Sequence, residues 1–206
     1  MSSKTVQFWD KQAVRYAAQP VKDEESYEQM LQTVATRLKP DDNVLEIGCG
    51  TGSTAVRMAQ HVANWTATDI SSGMIDIANS KDAPDSAKFV VADADTKFAN
   101  APFDVACAFH ILHLVPDPQS TIKSLFAQIK PGGLFISKTV CPGEMGVVPR
   151  IVVPIMQFFG VAPTSLHLLR VPELRAMVKA AGFNFIEDRT FGAAKANPYF
   201  VAQRPV

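Results

Sequence analysis

Val44-Leu45-Glu46-Ile47-Gly48-Cys49-Gly50-Thr51-Gly52 is the stretch whose reading decides the fold. The apolar run over 44–47 reads as a buried strand with an acid near its end, and the glycines at 48, 50 and 52 read as a turn. A helix follows at once, starting near Ser53 and carrying Ala55, Val56, Met58 and Ala59. Glycines at alternate positions let the backbone turn tightly and let a ligand lie directly against the main chain. Strand, glycine turn and helix in this order mark a nucleotide-type cofactor site. A dinucleotide fingerprint spaces its glycines as G-x-G-x-x-G. Here the third glycine comes one residue early, and Ser53 stands where the last should be. No Gly-Lys-Ser/Thr follows, which excludes a P-loop.

Outward from this stretch, strands and helices alternate. Short apolar runs with strand character occur at 43–47, 65–69, 88–92, 103–108 and 133–139. Between them, Asp117-Pro118 supplies a cap and a first-turn proline for a helix carrying Ile122, Leu125, Phe126 and Ile129. Ser71 is placed to cap a helix with Met74, Ile75 and Ala78. Pro172 opens a later helix with Leu174, Met177, Val178 and Ala181 on one face, closed by Gly182. Two strands, Phe183–Arg189 and Pro198–Gln203, then follow with no helix between them. A hairpin after a run of βα units predicts a parallel sheet with one antiparallel strand added. Two helical stretches precede the first strand, one from Phe8-Trp9-Asp10 to Tyr16-Ala17 and one over Glu24–Leu38.

The 206 residues are most naturally one domain, large enough to bury a substantial core. Net charge is zero, so no basic face is prepared for phosphates, and nucleic acid is a poor partner. Cys49, Cys107 and Cys141 are odd in number and far apart, and they lack C-x-x-C spacing. They suit a reducing compartment and point to no metal site. Met1-Ser2-Ser3-Lys4 carries no signal-peptide core, and no apolar run is long enough to span a bilayer. A cytoplasmic location is expected.

Three further acids and a histidine fall where a cofactor site needs them. Asp69 ends the second strand about twenty residues beyond the glycine turn, where an acid takes ribose hydroxyls as a charge-assisted acceptor. Its alternative is helix capping, a task that Ser71 and Ser72 share. Asp93 ends the third strand, with Asp95 as its rival two residues on. His110 follows the fourth strand, at the carboxyl ends of the strands where ligands of open α/β sheets bind. It is the candidate for a catalytic or substrate contact, because a neutral imidazole can take a proton from an attacking hydroxyl or amine. A cofactor contact and a helix-end histidine are the alternatives. His113, on the following turn, reads as structural.

The turn Glu46-Ile47-Gly48-Cys49-Gly50-Thr51-Gly52 strongly resembles the first motif of the class I S-adenosylmethionine-dependent methyltransferases, commonly E/D-x-G-x-G-x-G. Ile129-Lys130-Pro131-Gly132-Gly133-Leu134-Phe135-Ile136-Ser137 matches another motif of that family, a helix end and glycine turn feeding the fifth strand. The resemblance spans roughly Val44 to Lys138, and the terminal hairpin extends it. It implies a Rossmann-like, doubly wound α/β sheet of seven strands, mostly parallel with one antiparallel strand near the C-terminus. It also implies S-adenosylmethionine as cofactor, S-adenosylhomocysteine as product, and a small-molecule substrate. Glu46, Gly48, Cys49, Gly50 and Gly52 would hold the amino acid end, and Asp69 the ribose. Asp93 would meet the adenine amino group and the Ala94 N–H a ring nitrogen, between apolar walls from Ile70 and Met74. The helices of residues 1–40 would form a lid, in which Tyr16 either lies over the cofactor or packs on the sheet; Trp9 reads as packing. Residues 41–139 would form the cofactor core, and 172–206 the last helix and hairpin.

Two segments stand outside this pattern. Residues 140–171 form an insertion with an apolar run, Met145–Val161, that would cover the active site, form a homodimer surface or pack under the sheet. Its polar candidates are His167 and Arg170. Asn197-Pro198-Tyr199-Phe200 resembles the N/D-P-P-Y/F signature of amide methylating enzymes, but it sits in the expected last strand and reads as structural. A nicotinamide-dependent oxidoreductase and a non-catalytic S-adenosylmethionine-binding module are the competing functions.

Overall fold

The computed structural model describes residues 2–21, 23–192 and 196–206; Met1 of the N-terminal stretch lies outside them. Seven strands form one sheet: β1 (Asn43–Ile47), β2 (Asn64–Asp69), β3 (Ala87–Val91), β4 (Phe103–Phe109), β5 (Ile129–Lys138), β6 (Asn184–Thr190) and β7 (Pro198–Gln203). Their order is β3-β2-β1-β4-β5-β7-β6, with β1 to β5 parallel and β7 antiparallel to both β5 and β6. The doubly wound sheet with one antiparallel strand is therefore present as the sequence predicts.

Side chains of a strand alternate between faces, and this alternation divides the core in two. Leu45, Ile47, Ala106, Ala108, Phe135 and Phe200 point to one face. There they meet Ile122 and Leu125 of α5 (Pro118–Gln128) and Leu174 and Val178 of α7 (Val171–Ala180). Val44, Trp65, Ala67, Cys107, Ile136 and Val201 point to the other. They pack on Met30, Leu31 and Val34 of α2 (Glu24–Ala35) and on Ala55 and Met58 of α3 (Ser53–Met58). Strands buried on both faces read as continuous apolar runs, which is why β1 and β4 were legible.

Local signals set the helix starts. The Asp117 carboxylate accepts from the Ser120 N–H at 3.0 Å and starts α5, whose first residue is Pro118. Ser71 Oγ accepts from the Met74 N–H at 3.1 Å and starts α4 (Ser72–Asn79). The glycines near 132 differ from expectation. β5 begins at Ile129, directly after α5, and the pairing jumps from Phe103 with Ile129 to Val105 with Leu134. Lys130 to Gly133 thus bulge within β5 rather than preceding it. Gly133 is required there, because a Cβ would stand 2.7 Å from the Asp104 carbonyl oxygen. Pro198, Tyr199 and Phe200 lie buried in β7, as their structural reading requires.

Candidate active site

The strand order reverses at β1 and β4, so the crevice opens beyond their carboxyl ends, the place where open α/β sheets bind ligands. A cavity of about 830 Å³ lies there. Gly48, Gly50, Asp69, Ile70, Ala94 and His110 border it from the strand ends, and Met74 from α4. Helix α1 (Ser3–Ala17) adds Phe8, Trp9, Arg15 and Tyr16, and the insertion adds Val140, Met156, Val161, Ala162 and Leu166. A shallower groove of about 580 Å³ lies between α2 and β6. Its Arg37 and Arg189 are both engaged by Glu187, and it shares no bordering residue with the larger cavity.

The three turn glycines do different work. All have positive φ, which favours glycine. A Cβ at Gly48 would stand 2.4 Å from Ile111 Cγ1, and one at Gly52 would stand 2.5 Å from Phe89 Cε1. These two let the turn close on the protein itself. At Gly50 the only atom near such a Cβ is Tyr16 Cε1, at 3.6 Å. Open space beside Gly50 leaves room for a ligand against the main chain.

Asp69 organises that turn. Its carboxylate accepts from the Gly50 N–H and the Ser71 N–H, each at 3.0 Å. Burial raises its pKa, against the lowering effect of those N–H bonds. A carboxylate has about four lone-pair sites, so acceptor capacity remains for a hydroxyl group entering the cavity. This donor and acceptor set fits a ribose beside an exposed main chain.

Asp10 ties α1 over the site. Its carboxylate accepts from Ser71 Oγ at 2.6 Å and from the Gly73 N–H at 3.1 Å. Gly73 permits the close approach, since a Cβ there would meet Ala13 Cβ at 3.3 Å. No local pattern signals this contact, because Asp10 and Ser71 are 61 residues apart.

His110 has φ 55, a left-handed backbone rarely adopted by residues other than glycine. Its N–H donates to the Lys138 carbonyl at 2.7 Å. Burial and the nearby Lys138 ammonium push its pKa down to about 4. The ring is therefore neutral near pH 7. His113 also borders the cavity, and burial lowers its pKa to about 4.

Several sequence-based placements change. Glu46 does not border the cavity. Alternation along β1 turns it to the α2 and α3 face, where its carboxylate accepts from Trp65 Nε1 at 2.9 Å. Cys49 and Gly52 do not border it either; Gly52 is closed in by Phe89 and Ala78. Asp93 stands between two bordering residues, Ala92 and Ala94, and accepts from the Asp95 N–H at 3.2 Å. Its rival Asp95 is taken up by Thr121 Oγ1 at 2.8 Å. Trp9 and His113, read as packing and structural, both face the cavity. Of the two lid helices only α1 borders it, while α2 is core. His167 is held by the Pro116 carbonyl, and Arg170 precedes α7.

These shifts make opposite contributions to stability as pH falls. Histidine titrates near 6.5 in an unfolded chain and about 4 here, so the unfolded state holds protons more tightly and stability falls from pH 6.5 towards 4. Glu46 is pushed up to about 7 by burial, so the folded state holds its proton more tightly and stability rises from pH 7 towards 4.5. Glu46→Gln is therefore expected to raise stability at pH 8 by about 1–3 kcal/mol and to change it little at pH 4. Urea unfolding at both values checks this; an equal effect at both pH values would contradict the assignment.

The family of methyltransferase domains matches residues 20–188. A ubiquinone biosynthesis O-methyltransferase from Coxiella burnetii is 28% identical over 152 residues, 70% of this chain and 64% of that protein. A sterol 4-C-methyltransferase from Caenorhabditis elegans is 34% identical over 120 residues, 55% of this chain and 36% of that protein. The matched region thus spans less than two thirds of either relative. Among solved structures, N-methyltransferase NodS from Bradyrhizobium japonicum, in complex with S-adenosyl-L-homocysteine, has a TM-score of 0.75 at 16% identity. That match covers 99% of this chain and 100% of the other. Magnesium protoporphyrin IX methyltransferase from Synechocystis has a TM-score of 0.72 at 16% identity, covering 99% and 98%. At these identities the two likenesses concern the fold.

Proposed function

Since the chain belongs to the family of methyltransferase domains, we propose that it uses S-adenosylmethionine to methylate a small, apolar molecule by direct in-line displacement. One observation carries the reading. A single cavity brings Gly50 and Asp69 together with His110 and the apolar side chains of the insertion. The relatives' names, an O-methyltransferase of ubiquinone biosynthesis and a sterol 4-C-methyltransferase, support an apolar acceptor.

In this reading the main chain at Gly48 and Gly50 holds the amino acid end, and Asp69 accepts from the ribose hydroxyls. Ile70 and Met74 wall the nucleoside, with Asp93 and the Ala94 N–H at the adenine. When bound, S-adenosylmethionine supplies an activated methyl group on a positively charged sulfur. The protein supplies alignment, which accounts for much of the rate in such a reaction. Helix α1 and the insertion keep water from a site where charge is lost during transfer. His110, neutral near pH 7, accepts a hydrogen bond from the acceptor's hydroxyl or amine and takes its proton. The free Cys49, Cys107 and Cys141 support a reducing compartment, the cytoplasm.

Titration calorimetry with S-adenosylhomocysteine and with NAD tests the cofactor. The first is expected to bind and the second not; binding of NAD alone would overturn the reading in favour of an oxidoreductase. A methyl-transfer screen of apolar compounds, read by product mass, then separates enzyme from binding module. With a substrate in hand, His110→Gln is expected to lower turnover by about 10²-fold while S-adenosylhomocysteine affinity holds.

A further inference from the structure

Helix α6 (Val148–Phe158) is apolar nearly all round, with Arg150 and Gln157 its only polar residues. A helix of that kind is ordinarily buried on every side. None of the residues of α6 is buried. Its inner side, with Pro149, Val153, Met156 and Gln157, faces the protein; Met156 borders the cavity, and Gln157 Nε2 donates to the Pro163 carbonyl at 3.1 Å. Its outer side leaves Val148 64%, Ile151 63%, Ile155 52% and Phe158 84% exposed, and Phe159 and Val161 continue the patch. Contiguous exposed apolar surface of this kind marks an interaction site.

Charge identifies the occupant. Helix α6 carries Arg150 and no acid. Lys4, Lys11 and Arg15 recur at helical spacing along α1, and Arg15 borders the cavity together with Phe8 and Gln12. The single acid of α1, Asp10, is turned inward to Ser71 and Gly73. In a chain of zero net charge this is a local cationic stripe on a helix that, like α6, borders the cavity. An interfacial helix joined to basic residues is the combination that anionic lipid surfaces attract. A second copy would set the same cations against each other. Among the described residues no helix is long and apolar enough to cross a membrane, so the contact is with its surface.

We propose that the outer face of α6 and the cationic stripe of α1 seat this protein on an anionic lipid bilayer. The cavity mouth then opens towards the lipid, and an apolar acceptor reaches it from there. That delivery rests on the methyltransferase reading; the surface contact does not.

Sedimentation of the full chain with phosphatidylcholine vesicles, with and without phosphatidylglycerol, tests the contact. Binding is expected only with phosphatidylglycerol. It should weaken about tenfold or more in Ile151→Asp/Ile155→Asp/Phe158→Asp and in Lys4→Glu/Lys11→Glu. Both variants should keep their affinity for S-adenosylhomocysteine, which shows that they fold. Absence of vesicle binding by the wild type, or binding that both variants retain, would overturn the proposal. So would a wild-type dimer that the α6 variant dissociates while vesicles remain unbound. Vesicle binding without any affinity for S-adenosylhomocysteine would instead leave the contact standing and sink the methyltransferase reading.

Discussion

Asp69→Ala is expected to weaken S-adenosylhomocysteine binding by about 10²-fold, the loss of a charge-assisted hydrogen bond from a ribose hydroxyl. The same change strips the Gly50 and Ser71 N–H groups of their acceptor. The turn beside the open face of Gly50 then loses its brace, and stability should fall by about 1–3 kcal/mol. Asp69→Asn separates the two effects. An amide oxygen can still accept from one of the N–H groups, so much of the stability should return, while the weaker, uncharged acceptor recovers only part of the affinity. Calorimetry with S-adenosylhomocysteine, alongside urea unfolding, reads both. Unchanged affinity in the alanine variant would sink the assignment of the cofactor site.

Gly48→Ala should destabilise the fold by about 2–5 kcal/mol. The left-handed backbone at φ 64 is unfavourable for alanine by about 1–2 kcal/mol. The added Cβ also meets Ile111 at 2.4 Å, an overpacking of about 1–3 kcal/mol. Gly146 is the control. It has φ 81 and nothing within 4 Å of a Cβ, so Gly146→Ala should show the backbone effect alone. Adding Ile111→Ala to Gly48→Ala should return part of the loss. Equal losses at Gly48 and Gly146 would show that the Ile111 contact yields freely.

The readable parts of the site are those whose role follows from position along the chain. Asp69 ends β2 and His110 follows β4, and strand ends were visible as apolar runs. The unreadable parts depend on how elements dock. Glu46 has the position of a cofactor acid, yet the two-residue period of β1 turns it towards Trp65 and away from the cavity. Asp10 acts through a contact 61 residues away, and only the seating of α1 on α4 creates it. Trp9 was read as a packing residue and His113 as a structural one. Both lie on helical or turn segments that cross the cavity mouth, where an inward face meets a ligand space and not the core. The Pro131-Gly132-Gly133 sequence signalled a turn correctly in kind. The structure sets it as a bulge opposite Asp104, because β5 starts pairing before the glycines.

The sequence by itself determined the alternation of strands and helices as far as β5, the closing hairpin and the glycine turn after β1. Each of these rests on local periodicity or on backbone freedom, and both are properties of neighbouring residues. Only the tertiary structure decided which of the three turn glycines faces open space, which acids border the cavity, and that α1 and α6 frame its mouth. Those outcomes depend on packing between segments far apart in the chain. Gly48 and Gly52 look like Gly50 in sequence, and only Ile111, Phe89 and Ala78, brought in from later elements, close the first two and leave the third open.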